Sequence, residues 1–211
     1  MITIKRFVFN PFQENTYLLY DETRDAVLID AGCYAQAEKD KLSNFLKDNN
    51  LTLKRLLNTH SHIDHILGNQ FITDNYSLDL ESHKEDEFLI ERAKDQAAAF
   101  GITIDSTPKP KKYLYEGDQI KFGNSVLYII HAPGHSPGSI VFYNKEEKFM
   151  VVGDVLFNQS IGRTDLPGGN YDTLINSIKS KLFPLGDDME VYCGHGENTT
   201  IGQERISNPF L

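Results

Sequence analysis

The stretch Thr59-His60-Ser61-His62-Ile63-Asp64-His65 places four potential metal ligands within six residues. The residues before it, Leu53–Leu57, predict a buried strand that ends at Asn58-Thr59. If the extended backbone continues past Thr59, His60 and His62 point to the same side. Asp64 and His65 then lie where a short helix begins, and they can turn towards a second point. Such a cluster can serve two neighbouring metal ions.

The donor atoms of this cluster indicate which metals suit it. Imidazole nitrogen and carboxylate oxygen are ligands for zinc, manganese or iron, and the cluster contains no thiolate. The alternative interpretation is a polar loop that happens to be rich in histidine. We consider it the weaker one, because such groups are costly to hold together unless metal or hydrogen bonds satisfy them.

Three further candidate ligands follow predicted strands and lie beside glycine: His135, Asp154 and His195. Loops at strand ends are where functional groups gather over a rigid scaffold. With the first cluster they make seven candidate ligands, a plausible number for two metals. Two histidines remain. His83 is predicted to lie exposed on a helix, and His131 is interpreted as a structural residue at a strand end.

The chain has two parts of similar size, joined by a predicted surface connection at Thr107–Lys112. Each part is a run of predicted strands closed by helices, which predicts packed sheets with helices outside. The predicted helices are Ala35–Lys47, His83–Phe100, Tyr171–Leu182 and Ile201–Ser207, and a late strand is predicted at Glu190–Cys193. No long linker interrupts the pattern, so we expect one domain over residues 1–211.

Composition excludes several classes of protein. The chain of 211 residues has 21 Lys and Arg against 30 Asp and Glu, a net charge of −9, which disfavours nucleic acid as a partner. No apolar run approaches the roughly 20 residues that a membrane helix needs, and no signal peptide is recognisable. The two cysteines, Cys33 and Cys193, predict no disulfide framework. We therefore expect a cytoplasmic protein that does not bind membranes.

The segment Gly134-His135-Ser136-Pro137-Gly138 matches the Gly-x-Ser-x-Gly pattern of serine hydrolases. That motif needs a strand-to-helix turn, and the backbone N–H after the serine helps to form the oxyanion hole. Pro137 has no N–H, and a strand is predicted to follow. Ser136 is therefore rejected as a nucleophile.

Taken together, these motifs resemble the metallo-β-lactamase superfamily over nearly the whole chain. The resemblance implies an α+β fold, the four-layer αβ/βα sandwich. It also implies that His60, His62 and His135 hold one metal, that Asp64, His65 and His195 hold the other, and that Asp154 bridges both. Asp30, in Ile29-Asp30-Ala31-Gly32, matches a buried group that supports the ligands.

Within that superfamily the chain is similar to short glyoxalase II-like hydrolases. The segments that carry this likeness are Asn10–Tyr17, Ile161–Asp165 and Glu204–Phe210. Asp154 stands where the zinc β-lactamases have cysteine, which disfavours antibiotic hydrolysis. The longer glyoxalase II enzymes carry a C-terminal helical region that helps to bind glutathione; we do not expect it here, so recognition of glutathione is left open.

The resemblance implies a hydrolase that cleaves a small-molecule thioester such as S-lactoylglutathione. Two zinc ions per chain, with iron or manganese as alternatives, would lower the pKa of a bound water to about 7, and the resulting hydroxide attacks the carbonyl carbon. Asp64 is the candidate catalytic residue that orients it. Arg163 is the first candidate for substrate binding because arginine suits anions, and Tyr143 is the second.

Two other functions remain open at this point. A mononuclear non-haem iron persulfide dioxygenase shares the Thr59–His65 pattern, and two His with one carboxylate suffice for its iron. The other is a non-catalytic metal-binding protein, which is disfavoured because a structural site closes at four ligands. The sequence does not indicate the oligomeric state.

Overall fold

Two six-stranded β-sheets form the centre of the computed structural model, which describes residues 1–104 and 106–211. The first sheet has the order β1 to β6, with β1 and β2 antiparallel, β2 and β3 antiparallel, and parallel neighbours from β3 to β6. Its strands are β1 (Thr3–Phe9), β2 (Glu14–Tyr20), β3 (Asp25–Ile29), β4 (Thr52–Leu57), β5 (Leu80–Ser82) and β6 (Lys112–Tyr113).

The second sheet has the order β14-β13-β10-β9-β8-β7, and only β10 and β13 pair in parallel. Its strands are β7 (Gln119–Phe122), β8 (Ser125–His131), β9 (Ile140–Asn144), β10 (Phe149–Gly153), β13 (Glu190–Cys193) and β14 (Thr199–Thr200). A separate hairpin pairs β11 (Leu156–Phe157) with β12 (Ser160–Ile161).

Helices cover the outer faces of both sheets. They are α1 (Gln36–Asp48), α2 (Ile63–Ile66), α3 (Asn69–Tyr76), α4 (Glu87–Glu91), α5 (Ala93–Ala99), α6 (Tyr171–Ser177) and α7 (Ile201–Ser207). A π-helical segment, Ile178–Leu182, continues α6, and 3-10 turns occupy Lys84–Asp86 and Phe183–Leu185. Within the described residues, no helix combines the length and the apolar composition that crossing a bilayer requires.

Successive side chains of a strand pack into different layers of the hydrophobic core. In β3, Val27 and Ile29 enter the cluster between the sheets, whereas Ala26 and Leu28 enter the cluster under α1 and α3. This follows from the two-residue period of a strand, which turns successive side chains to opposite faces. A third cluster fills the space between the second sheet and α6, the π-helical segment and α7. The four-layer αβ/βα sandwich is thus confirmed.

The prediction of one continuous helix over His83–Phe100 is wrong. It is broken at Arg92, where the backbone leaves the helical conformation with φ −100° and ψ 12°. The two pieces bury their apolar side chains in different places: Ile90 of α4 joins the core beside the first sheet, whereas Ala93 and Ala97 of α5 pack on α2. The break places Arg92 between two helical pieces that pack against different clusters.

The prediction that His83 lies exposed on a helix is also wrong. His83 directly follows β5, is 6% exposed, and its ring stacks on that of His131 with 4.2 Å between centroids. His83 is buried because its ring packs between His131 and Tyr115, whose ring centroid lies 5.4 Å away. His131 ends β8, as predicted.

The carboxyl ends of four strands meet at one edge of the sandwich. Asp30 follows β3, and the histidine-rich segment follows β4, which runs parallel to β3. Asp154 follows β10, and His195 lies two residues after the parallel strand β13. A hydrogen bond of 2.8 Å from the Ile140 N–H to the Thr59 carbonyl ties the two sheets together there. The fold therefore brings loops that are distant in sequence to one place.

Candidate metal centre

Three buried histidines form the first donor group. The Nδ1 atom of His62 lies 2.8 Å from Nε2 of His135, which lies 3.2 Å from Nε2 of His60. The three rings come from the two sheets: His60 and His62 follow β4, and His135 lies in the loop between β8 and β9. Their nitrogens converge on a space of the size that one metal ion fills.

A second donor group lies beside the first. The Nε2 atom of His195 is 3.0 Å from Oδ2 of Asp64, and Nε2 of His65 is 3.7 Å from the same oxygen. Asp64 and His65 both belong to α2, whose backbone turns sharply after the strand-like segment that carries His60 and His62. Because α2 begins at Ile63, His60 and His62 belong to the first donor group, whereas Asp64 and His65 belong to the second.

Asp154 lies between the two groups. Its Oδ1 atom is 3.3 Å from His65 Nε2, and its Oδ2 atom is 3.6 Å from the Nε2 atoms of both His135 and His195. One carboxylate therefore reaches donors of both groups, which is the arrangement of a bridging ligand.

The remaining ring nitrogens fix the protonation of the ligands. Nδ1 of His135 donates to the Arg163 carbonyl at 2.8 Å, and Nδ1 of His195 donates to the Phe12 carbonyl at 3.1 Å. Because a carbonyl only accepts, each hydrogen lies on Nδ1 and the lone pair is left on Nε2. His65 has the same arrangement, since its Nδ1 donates to Asp30 at 3.0 Å.

Asp30 supports the ligands from below. It is 1% exposed, and its Oδ1 atom accepts from the Thr59 N–H at 2.7 Å and from Asn58 Nδ2 at 3.1 Å. Its Oδ2 atom accepts from the Thr59 hydroxyl at 2.6 Å as well as from His65. The Thr59 hydroxyl in turn lies 3.1 Å from His60 Nδ1, so Asp30 orients one histidine of each group.

Three buried atoms of the candidate ligands lack any hydrogen-bond partner among the described residues: His62 Nε2, His65 Nε2 and Asp154 Oδ1. The last two lie 3.3 Å apart, but not in hydrogen-bonding geometry. Unpartnered buried polar atoms are costly, and a cation that binds both removes the cost. The donors are nitrogen and oxygen only, so the centre fits zinc, iron or manganese.

Charges at the centre favour a bound cation. Burial alone would raise the pKa of Asp154, but the neighbouring His65 and His135 hold it well below its ordinary value. Burial lowers the pKa of His62 to about 3 and that of His60 well below its usual range. Neutral imidazoles and ionised carboxylates are the forms that bind metals.

The second group stabilises positive charge. Burial lowers the pKa of His65, but Asp154 and Asp64 outweigh it and hold the pKa well above its ordinary value. For His195 too, burial acts downwards on the pKa, and the hydrogen bond that its ring donates to Asp64 raises the pKa. A divalent cation bound among these side chains would supply the positive charge that the carboxylates of Asp64 and Asp154 stabilise.

The centre opens into a cavity of about 540 Å³. Its wall is mainly apolar, with a few charged side chains around the opening. The apolar residues include Phe12, Ile63, Phe88, Leu89, Phe100 and Leu166, and the charged residues beyond the candidate ligands are Arg92, Asp95 and Arg163.

The two predicted substrate-binding residues differ in position. Arg163 lines the cavity, where its guanidinium pairs with Asp165 through two bonds of 2.7 Å. Tyr143 is not among the residues that line it: Tyr143 lies on β9, where it packs against the outer core of the second sheet beside Tyr128. The strand starts near the site at Ile140, so Tyr143 is carried away from it.

One buried acid at the site is not recognisable in the sequence. Asp86 is 0% exposed and accepts hydrogen bonds from the Ser61 N–H, the Ser136 hydroxyl and the Gly138 N–H. Its neighbours Lys84, Glu85 and Glu87 are charged, and this run of charges predicts a helix face exposed to solvent. No local sequence pattern distinguishes Asp86 from these neighbours.

Known proteins resemble this chain over nearly its full length. The family model described as "Metallo-beta-lactamase superfamily" matches residues 9–195. The hydroxyacylglutathione hydrolase GloC of Haemophilus influenzae is 42% identical over 202 residues, which are 95% of this chain and 93% of that protein.

Two solved structures at 36% identity have the same fold. One is TTHA1623 in a di-iron-bound form, with a TM-score of 0.89 over 98% of this chain and 100% of the other. The other is the B3 metallo-β-lactamase BLEG-1, with a TM-score of 0.87 over 99% of both chains. With the fold and the His and Asp donor groups described above, these matches confirm the expected resemblance. The chain belongs to the metallo-β-lactamase superfamily, as a metallo-hydrolase.

Proposed function

We propose that this protein hydrolyses a thioester such as S-lactoylglutathione, using two zinc ions per chain. His60, His62 and His135 hold one ion, Asp64, His65 and His195 hold the other, and Asp154 bridges them. The observation that carries the proposal is the position of Asp154, whose two oxygens lie within 3.6 Å of histidines from both donor groups. The name of the 42% identical relative supports the choice of substrate.

When bound, the metals supply a water of lowered pKa and polarise the carbonyl oxygen of the substrate. Asp64 is the candidate catalytic residue of the chain itself. It lines the cavity, and its neighbours His65 and His195 lower its pKa against the effect of burial. It therefore stays an ionised acceptor that can hold a proton of the attacking water and orient it.

The side chains of the cavity wall surround the thioester bond that is cleaved. Phe12, Phe88 and Leu166 give the cavity an apolar lining. A low local dielectric strengthens each charged interaction at the carbonyl group. The carbonyl oxygen of Arg163 keeps His135 in place, so movement of that loop changes both the wall and the first donor group.

The experiment is a metal analysis of purified protein combined with a panel of thioesters. We expect about two metal ions per chain, hydrolysis of S-lactoylglutathione, loss of activity with a chelator, and its return when zinc is added to the same sample. The sample before chelation is the matched control.

Three results would contradict the proposal. One iron per chain with oxygen uptake on glutathione persulfide would establish the mononuclear dioxygenase instead. Hydrolysis of a cephalosporin but of no thioester would give this chain the activity named for its B3 relative. Thioester hydrolysis that survives complete metal removal would exclude the metal centre from the reaction.

A further inference from the structure

Arg92 lies at the break between α4 and α5 and lines the cavity of the metal centre. Three hydrogen bonds fix the chain at this break: the Arg92 N–H donates to the carbonyls of Phe88 and Leu89, both at 3.2 Å, and Gln96 Nε2 donates to the Leu89 carbonyl at 2.7 Å. The helix pieces are anchored by Ile90 and Ala93, which are both buried. The position of Arg92 beside the cavity is thus built into the fold.

The guanidinium of Arg92 differs from those of the other five arginines. Each of the five donates to a carboxylate or a carbonyl: Arg6 to Glu197, Arg24 to Asn49, Arg55 to Glu81, Arg163 to Asp165 and Arg205 to Asp187. Across residues 1–104 and 106–211, no hydrogen bond or ion pair reaches the Arg92 side chain, not even from Asp95, which lines the same cavity. A planar fork of donors is left available to a ligand.

The surroundings of Arg92 suit a ligand that is partly apolar and partly anionic. Phe12 and Phe100 meet edge to face across the rim, with 5.1 Å between ring centroids, and Phe100 is 55% exposed. The protein carries a net charge of −9, which repels anions at a distance. An anionic substrate therefore depends on a local positive group to bind, and Arg92 is such a group.

We propose that Arg92 binds an anionic group on the thiol carrier of the substrate, while Phe12 and Phe100 pack against the apolar part of that carrier. This rests on the proposed thioester hydrolysis. A cavity of about 540 Å³ is far larger than a small acyl group needs, so the carrier occupies most of it. The carboxylates of a peptide thiol such as glutathione and the phosphates of coenzyme A share the required chemistry.

The test measures binding rather than turnover. Dissociation constants are determined by calorimetry on metal-loaded protein for three S-hexyl thioethers, which cannot be hydrolysed. Two are anionic, those of glutathione and coenzyme A, and the third, of N-acetylcysteamine, is neutral. The variants are Arg92→Gln, Arg92→Lys and Lys94→Gln. Lys94 is an exposed residue of α5, two positions after Arg92 and outside the cavity lining, so Lys94→Gln removes the same charge as a matched control.

We expect Arg92→Gln to weaken binding of at least one anionic thioether roughly tenfold, as for a charged hydrogen bond, and to leave the neutral one unchanged. Arg92→Lys retains part of the affinity, and Lys94→Gln binds all three like the wild type. The anionic thioether that responds identifies the carrier. Phe100→Ala weakens all three alike, because it removes apolar contact and not charge.

The inference is overturned if Arg92→Gln leaves both anionic thioethers unaffected, if it weakens all three equally, or if the wild type binds none of them. Failure of the proposed function has a different signature. In that case binding still depends on Arg92, but the wild-type protein hydrolyses none of the corresponding thioesters.

Discussion

Asp86 accepts a hydrogen bond of 3.0 Å from the backbone N–H of Ser61, the residue between His60 and His62. The same carboxylate accepts from the Ser136 hydroxyl at 2.8 Å and from the Gly138 N–H at 2.6 Å, one and three residues after His135. Asp86 therefore joins the two loops that supply the first donor group, although it contacts none of the three histidines through a hydrogen bond. It acts as a positioning residue.

Replacing Asp86 by alanine leaves the Ser61 and Gly138 N–H groups without an acceptor and leaves the Ser136 hydroxyl only its contact with Ser139. We expect Asp86→Ala to lower the free energy of unfolding by about 2–4 kcal/mol and to weaken metal binding by the first donor group. Urea denaturation and a zinc competition titration measure the two effects. Glu85→Ala is the control because Glu85 is its exposed neighbour. Equal metal affinity in Asp86→Ala and the wild type would disprove the positioning role.

Asp86 also predicts a pH dependence. Burial raises the pKa of its carboxyl to about 6, whereas an unfolded aspartate titrates near 3.9. Between these values the folded state binds more protons than the unfolded state, so the contribution of Asp86 to the free energy of unfolding falls as pH rises from about 4 to about 6. We expect the difference between wild type and Asp86→Asn to fall over that range in urea denaturation. A difference that does not change with pH would refute this.

The two donor groups predict separable losses of metal. His62→Ala removes a ligand of the first group only, and His195→Ala removes one of the second only, so each variant should keep about one metal per chain. Asp154→Ala should impair both groups, because its carboxylate reaches histidines of each. Elemental analysis after dialysis measures the stoichiometry. Loss of all metal from His195→Ala would show that the groups do not bind independently.

Asp30 should affect metal affinity without contacting metal. Each carboxylate oxygen of Asp30 accepts two hydrogen bonds. Asp30→Asn replaces one of these oxygens by an NH2 group, which cannot accept, so at least one of the hydrogen bonds is lost. We expect zinc affinity to fall by about 10–100-fold, as for other groups that orient histidine ligands. A chromophoric chelator in competition measures it. Asp48→Asn, at an exposed site on α1, should behave like the wild type.

Gly194 tests how closely the chain packs around the bridging carboxylate. A methyl group at this position would collide with Oδ1 of Asp154 and lie 2.9 Å from Cε1 of His65. We expect Gly194→Ala to fold but to lose metal from the centre, since Asp154 must rotate away. At Gly117 an added methyl meets nothing within 4 Å, although φ of +87° strains alanine there, so Gly117→Ala is the control for a destabilising glycine replacement that does not crowd the centre. A full complement of metal in Gly194→Ala would contradict the close packing.

The local sequence determined most of the candidate ligands. Four ligands are recognisable because four donors within six residues need a shared partner: His60, His62, Asp64 and His65. Three more are recognisable because each follows a predicted strand and lies beside glycine: His135, Asp154 and His195. Strand alternation and helix bounds such as Ile201–Ser207 also depend on near neighbours only. The resemblance to a known family then specified how the ligands group.

Tertiary structure alone decided the roles of Asp86, Arg92 and Tyr143. Asp86 is buried because the loops after β4 and β8 close over it, and Arg92 lies beside the cavity at the break between α4 and α5, which pack against different clusters. Tyr143 is carried away from the site by the direction of β9. In each case the deciding contacts are with residues far away in the sequence, so no local pattern of charge or hydrophobicity encodes them.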